Sequence, residues 1–458
     1  MKHTEALLKA EKFQQKMEKI AQNDYWRPQY HIAAPANWIN DPNGFCFYKG
    51  EYHPYSSQWG PMHWGHVASK DLADWEHRPI ALAPTDEYDK DGCFSGSAIE
   101  NDGKLYLLYT GHVDLDNSNG GNDRIETQCL AVSDDGKHFE KVENNPVIKA
   151  LPENLNIRTE HFRDPKVWKH GDWYYTVVGV QTKEESGQVV VYKSQDLINW
   201  EFLNIMATSS VKENLGFMWE CPNFAEVNGH EALILSPQGV KSEGNKFLNV
   251  HQSGYFLGKM DYQTGIFHRD SKFDLLDYGF DFYAPQIMQD EKNNRCLMIA
   301  WLDMWESNMP EQENHWAGMM SIPRVLKVEN NMIYSKPADE LSKLHKSKVH
   351  HEQIIKEATS FDDVNGDCYQ LDIDFDLEKA QGFILKLRVS NTEETVISYD
   401  KDTKIFKLNR DKSGCGVKGE REVSIEPVRE KMNLQIFSDR SSLEIFINGG
   451  KRVLSSRI

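Results

Sequence analysis

At 458 residues the chain exceeds what one hydrophobic core usually serves, so a large domain with a smaller companion is expected. Seventy acidic against 52 basic side chains leave a formal charge of -18, which argues against nucleic acid or an acidic membrane surface as the main partner. No apolar run approaches the roughly 20 residues that span a bilayer, and the N-terminus carries no apolar stretch of signal-peptide type, so a cytoplasmic location is expected.

Leu7, Ala10, Phe13, Met17 and Ile20 recur at helical spacing after Thr4, a candidate N-cap, and predict an amphipathic helix with its lead-in over 1–27. From 28 to 325 short apolar runs alternate with Gly, Asn and Asp turns, and one unit recurs: a small or acidic residue, an extended run, a polar turn, a second run. The copies open at Asp41-Pro42, Ser95-Gly96, Asp164-Pro165, Glu220-Cys221 and Tyr283-Ala284. A repeat of roughly 55 to 70 residues holding about four strands predicts a propeller, because one blade cannot cover its own apolar face. Five copies predict five blades, with the opening residues lining one central funnel. The stretch 326–347 reads as a linker with a helical turn. Over 348–458 alternation as in Tyr369 to Leu377 predicts a β-sandwich, so the fold class is all-β: a five-bladed propeller, then a sandwich. Seven cysteines, Cys415 among them, lack paired close spacing and are read as reduced thiols.

Cleaving a sugar acetal needs one carboxyl to protonate the departing oxygen and another to attack the anomeric carbon or activate water. Asp41, Asp164 and Glu220 each stand in a segment that by itself reads equally as a turn or strand end. All three open repeated blades, and chance turns have no reason to place acids only at channel-lining positions. His63 and His66 resemble part of a metal site but lack a third ligand at matching spacing, so neither metal nor cofactor is expected. Cys221 has no His nearby and is read as packing or tuning rather than as a nucleophile.

Trp38 to Gly44, Phe94-Ser95-Gly96, Arg163-Asp164-Pro165 and Glu220-Cys221-Pro222 resemble, in order, the signature blocks of glycoside hydrolase family 32, the invertases and sucrose-6-phosphate hydrolases. The resemblance implies a retaining β-fructofuranosidase acting on sucrose or sucrose 6-phosphate, with Asp41 as nucleophile, Glu220 as general acid and then base, and Asp164 as transition-state stabiliser. It also implies substrate contacts from Asn40, Trp64, Phe94, Ser95, Arg163, Tyr283 and Trp316. On physical grounds Glu220 is expected to carry the raised pKa and Asp41 to be held ionised by nearby donors.

The first copy departs from the pattern, since Glu51 to Gln58 has no apolar run after its turn. Members of the family continue there through an aromatic stretch with a substrate-contacting Gln, so several residues are missing between His53 and Pro54, and Gln58 does not occupy that place. They also run on beyond the point matching Ile458. A lost strand and an incomplete sandwich are therefore expected to impair activity or stability. Two rivals stay open: an inverting arabinanase-type propeller, and a carbohydrate-binding propeller without catalysis.

Overall fold

In a computed structural model, which describes residues 2–58, 61–115, 123–210, 213–414 and 416–458, the repeated units fold as antiparallel meanders. Each opens with the strand that carries a motif: Asn37–Tyr48, Gly92–Asn101, Ile157–His170, Met218–Val227 and Tyr283–Asp290. Each of these inner strands touches the next and the last touches the first, which closes a ring of five blades. Apolar side chains fill the seams between blades. Val177 and Val191 of the third blade meet Phe224 and Leu233 of the fourth, and Met288 and Leu297 of the fifth meet Phe45 and Tyr52 of the first. A fully buried residue of this size contributes about 1.5–3 kcal/mol, so blade stacking is what stabilises sheets that are marginal alone.

The expected loss of a strand in the first blade is not what the structure has. Glu51–Gln58 forms a strand between Asn37–Tyr48 and His63–Ala68, and all its residues after Glu51 are buried. The backbone ladder, not an apolar run, forms it, and the buried polar groups find partners. Asn43 Nδ2 donates to Ser57 Oγ at 2.9 Å, Gln58 Nε2 to Ser56 Oγ at 3.1 Å, and the rings of His53 and His66 meet at 2.9 Å. Pro54 sits where the register slips between Asn43 and Cys46, so its missing N-H costs no ladder bond.

The stretch 326–347 is also more than a linker. Arg324–Glu329 and Met332–Pro337 form the outer hairpin of the fifth blade, and only then does a 3-10 turn, Asp339–Leu344, lead out. Its turn is Asn330-Asn331, both with positive φ, 51° and 57°, as a tight two-residue hairpin loop requires. The helix, His3–Ala21, buries Ala6, Ala10 and Ala21 instead of the larger apolar residues, and leaves Phe13 and Ile20 largely exposed. Thr4 lies inside it and Lys2 is the cap residue.

Two four-stranded sheets of the sandwich enclose one core that includes Ile397, Phe406, Leu434 and Ile445. The edge of its last strand, Arg452–Arg457, is covered by the propeller, where the Tyr278 and Phe280 N-H groups donate to Val453 O and Ser455 O, both at 2.8 Å. Six described cysteines are free thiols; Cys415 lies outside the described residues. Among the described residues no helix is long and apolar enough to cross a membrane.

A buried ion network joins the two parts. His31 donates from Nδ1 to Asp439 at 2.8 Å and from Nε2 to Glu444 at 2.9 Å, so it is an imidazolium. Burial pulls its pKa down, but the two carboxylates outweigh this and hold it at about 9. An unfolded His titrates near about 6.5, so this stabilisation is complete below that pH and is lost as pH rises through about 9. Melting temperature is accordingly expected to fall across this window in the wild type and much less in His31→Gln. Parallel slopes for the two proteins would exclude His31 as the cause.

Candidate active site

The inner strands share a local device. Asp41, Asp164, Cys221 and Ala284 each precede a proline, which cannot donate to the ladder, and the register of all four strand pairs slips at these points. Asp164, Cys221 and Ala284 adopt φ of 66°, 45° and 49°, a left-handed conformation that is strained for such residues. Side-chain and backbone bonds hold it: the Asp164 N-H donates to Thr110 Oγ1 at 3.0 Å and the Cys221 N-H to Asp164 Oδ2 at 2.8 Å. The ring closure gathers these bulges at the centre of the five blades.

Asp41 and Asp164 meet across one thiol. Cys221 Sγ lies 3.7 Å from Asp41 Oδ2 and 3.6 Å from Asp164 Oδ2. Ser95 Oγ donates to Asp41 Oδ2 at 2.8 Å, whereas Asp41 Oδ1 is buried with no hydrogen-bond partner. Glu220 is surrounded by donors. Arg163 gives its Oε1 two N-H groups, from Nε at 3.1 Å and Nη2 at 2.7 Å, while Gln238 Nε2 at 2.9 Å and the Tyr283 hydroxyl at 2.5 Å donate to Oε2.

Burial, then the charge of Glu220, raises the Asp41 pKa to about 6. Asp164 is pushed higher, to about 8, by burial and by the charges of Glu220 and Asp41, against the pull of Arg163. Asp41 is not held in the ordinary carboxylate range as expected, because Ser95 and Cys221 cannot offset its burial. Asp164 accordingly keeps its proton near neutral pH.

Of the other expected contacts, Asn40 is buried beside Asp41 and accepts from Trp38 Nε1 at 2.8 Å. Half-buried Phe94 stacks on His112, centroids 3.9 Å apart and planes 6° from parallel. Tyr283 is buried against Glu220, which makes it a support for that acid rather than a wall of the funnel.

Two tryptophans are elsewhere. Trp64 is enclosed among Tyr55, Tyr109 and Cys93 at the seam of blades one and two, with its indole N-H on Phe94 O at 3.0 Å, so it braces Phe94 from behind. Trp316 packs on Ala21, Ala33 and Ala36 beneath the N-terminal helix, its indole N-H on Asp24 at 2.7 Å. Its neighbour Ala317 faces the site instead, as the alternation of an extended chain requires. Indoles that sequence reasoning missed stand beside Cys221 and Tyr283: Trp301, and half-buried Trp38 and Trp305, stacked 5.9 Å apart. Gln238 and Glu126 were missed as well, because they lie on second and third strands, outside the repeated openings.

Models of known families match nearly the whole chain: the glycosyl hydrolases family 32 N-terminal domain over residues 31–337 and the family 32 C terminal over 340–458. A sucrose-6-phosphate hydrolase of Zymomonas mobilis subsp. mobilis is 41% identical, over 99% of this chain and 90% of its own length. Among solved structures, a Bombyx mori family 32 β-fructofuranosidase variant in complex with sucrose superposes with a TM-score of 0.84 at 37% identity, covering 99% of this chain and 93% of its own. A sucrose-6-phosphate hydrolase from Lactobacillus gasseri gives 0.84 at 29% identity, covering 97% and 91%.

Proposed function

We propose, since the chain belongs to glycosyl hydrolase family 32, that Asp41, Asp164 and Glu220 split the fructosyl bond of sucrose or sucrose 6-phosphate with retention of configuration. The protein is a glycoside hydrolase with sucrose or its 6-phosphate as substrate. The observation that carries the assignment of roles is the asymmetry of Asp41. One of its oxygens is fixed by Ser95, and the other is left without a hydrogen-bond partner, the oxygen we assign to the attack.

Asp41 Oδ1 attacks the anomeric carbon of the fructosyl unit while Glu220 protonates the glycosidic oxygen, and the sugar is held covalently on Asp41 as glucose or glucose 6-phosphate departs. Water then enters, Glu220 takes its proton, and fructose is released with Asp41 regenerated. The first step needs a proton on Glu220. A sugar seated between the three acids supplies hydroxyls to Asp164, which lets Asp164 give up its proton and leaves both aspartates ionised, Asp41 as the nucleophile. Asn40, Phe94, Ser95 and Arg163 surround these acids and receive the fructosyl ring. Gln58, bonded to Ser56 and Gln14, is turned to other partners and takes no part in holding the sugar. Free thiols throughout the described residues fit a cytoplasmic enzyme.

Sucrose and sucrose 6-phosphate assayed in parallel, with the product followed by NMR at early times, test the reading. Fructose should appear first as the β-furanose. First appearance of the α anomer would mean direct attack by water, and release of neither glucose from sucrose nor glucose 6-phosphate from sucrose 6-phosphate would leave only a sugar-binding propeller.

A further inference from the structure

Glu126, on the strand Arg124–Ser133 of the second blade, takes no part in the steps above, yet it stands one guanidinium away from Glu220. It is buried. Its Oε2 accepts from the Phe162 N-H at 2.9 Å and from Arg163 Nη1 at 3.3 Å. Its Oε1 has no hydrogen-bond partner, with His112 Nδ1 at 3.6 Å and Arg124 Nη1 at 4.0 Å. Burial pushes its pKa up, but Arg163 first, then His112 and the Phe162 N-H, outweigh this and bring it down to about 2. Glu126 is thus a permanent anion. Arg163 gives Nη1 to it and both Nε and Nη2 to Glu220, so one cation is divided between two carboxylates.

From this division we infer that Glu126 is a positioning residue for the general acid, drawing enough of the Arg163 charge away from Glu220 to let Glu220 hold its proton. The inference rests on the reading of Glu220 as that acid. An undivided guanidinium against Glu220 stabilises its ionised form and depletes the acid that a poor leaving group needs. The other groups facing Glu220 are Tyr283 and Gln238 as donors, His161, and the acids Asp41 and Asp164 with Cys221 between them. Around Glu126 stand Arg163, Arg124 and His112, the last bonded to Asp114 and carrying the Phe94 ring. Glu126 therefore touches both the acid's cation and, through His112, a wall of the funnel.

Glu126→Gln keeps the shape and removes the charge. Its basic limb of kcat/KM on sucrose is expected about one unit lower, with a loss of about tenfold at about pH 7.5. Hydrolysis of nitrophenyl β-fructofuranoside, whose phenolate leaves without a proton, should fall less than about threefold. Arg124→Gln removes a cation from the other side of the same carboxylate at a partly exposed position, and should move the limb upward. Equal losses on both substrates with unmoved limbs overturn the inference. If Glu126→Gln does not fold, Arg124→Gln decides, and an unmoved or lowered limb overturns it. Glu220→Gln is the control. Should it cleave sucrose normally, the underlying reading fails; should it lose sucrose but keep the nitrophenyl substrate while the Glu126 and Arg124 variants stay flat, only the present inference fails.

Discussion

Asn in place of Asp41 is expected to lower kcat/KM on sucrose by about 10⁴-fold or more while leaving a folded protein. An amide cannot attack the anomeric carbon, and the oxygen it replaces is the one that no neighbour engages. The fold should gain, not suffer. Burial and the charge of Glu220 raise the Asp41 pKa to about 6, so the cost to the native state grows as pH rises past the unfolded value near 3.8 and is complete above about 6, where the buried carboxylate is ionised. A neutral amide of the same shape removes that cost, and the melting temperature at about pH 7.5 should be equal or higher. Lost activity together with a lowered melting temperature would point to a structural role for Asp41, and unchanged cleavage would remove it from the chemistry altogether.

The acids were legible in the sequence because repetition exposes position. Asp41, Asp164 and Glu220 open aligned units, and a ring of such units leaves the openings only one place to meet. What alignment of the units does not encode is which way a ring points. Trp64 and Trp316 are attached to strands of the right blades yet face away, since direction changes at every residue of a strand and a one-residue offset exchanges funnel for core. The strand Glu51–Gln58 was illegible for a different reason. Its side chains are polar, and it forms because strands on either side supply ladder partners, a non-local effect that composition does not carry. The hairpin at Asn330-Asn331 did have a local signal, with Leu326-Lys327-Val328-Glu329 alternating up to a turn pair that tolerates positive φ. The donors that surround Glu220 were illegible because Arg163, Gln238 and Tyr283 converge on it from three different blades.

The bond between propeller and sandwich should fail most sharply at Glu444. Its carboxylate accepts from the Ile322 N-H at 2.9 Å, from Arg324 through both Nε and Nη2, and from His31 Nε2 at 2.9 Å, which ties one sandwich strand, Ser442–Ile447, to two separate propeller segments. The Arg324 guanidinium is fully buried, with Asp277 on its other side at 3.0 Å. Glu444→Ala leaves that cation and the His31 imidazolium each with one carboxylate instead of two. Breaking a buried ion pair from one side typically costs about 3–5 kcal/mol, a large share of a total stability of roughly 5–15 kcal/mol. Denaturant titration should show this loss, and the dependence on alkaline pH that His31 imposes should weaken with it. Because the three acids stand on propeller strands away from this junction, kcat/KM on sucrose at low temperature should stay within about threefold of wild type, separating assembly from chemistry. A stability loss below about 1 kcal/mol would mean that the apolar contacts of Ile322, Phe446 and Val453 hold the two parts together without the ion network.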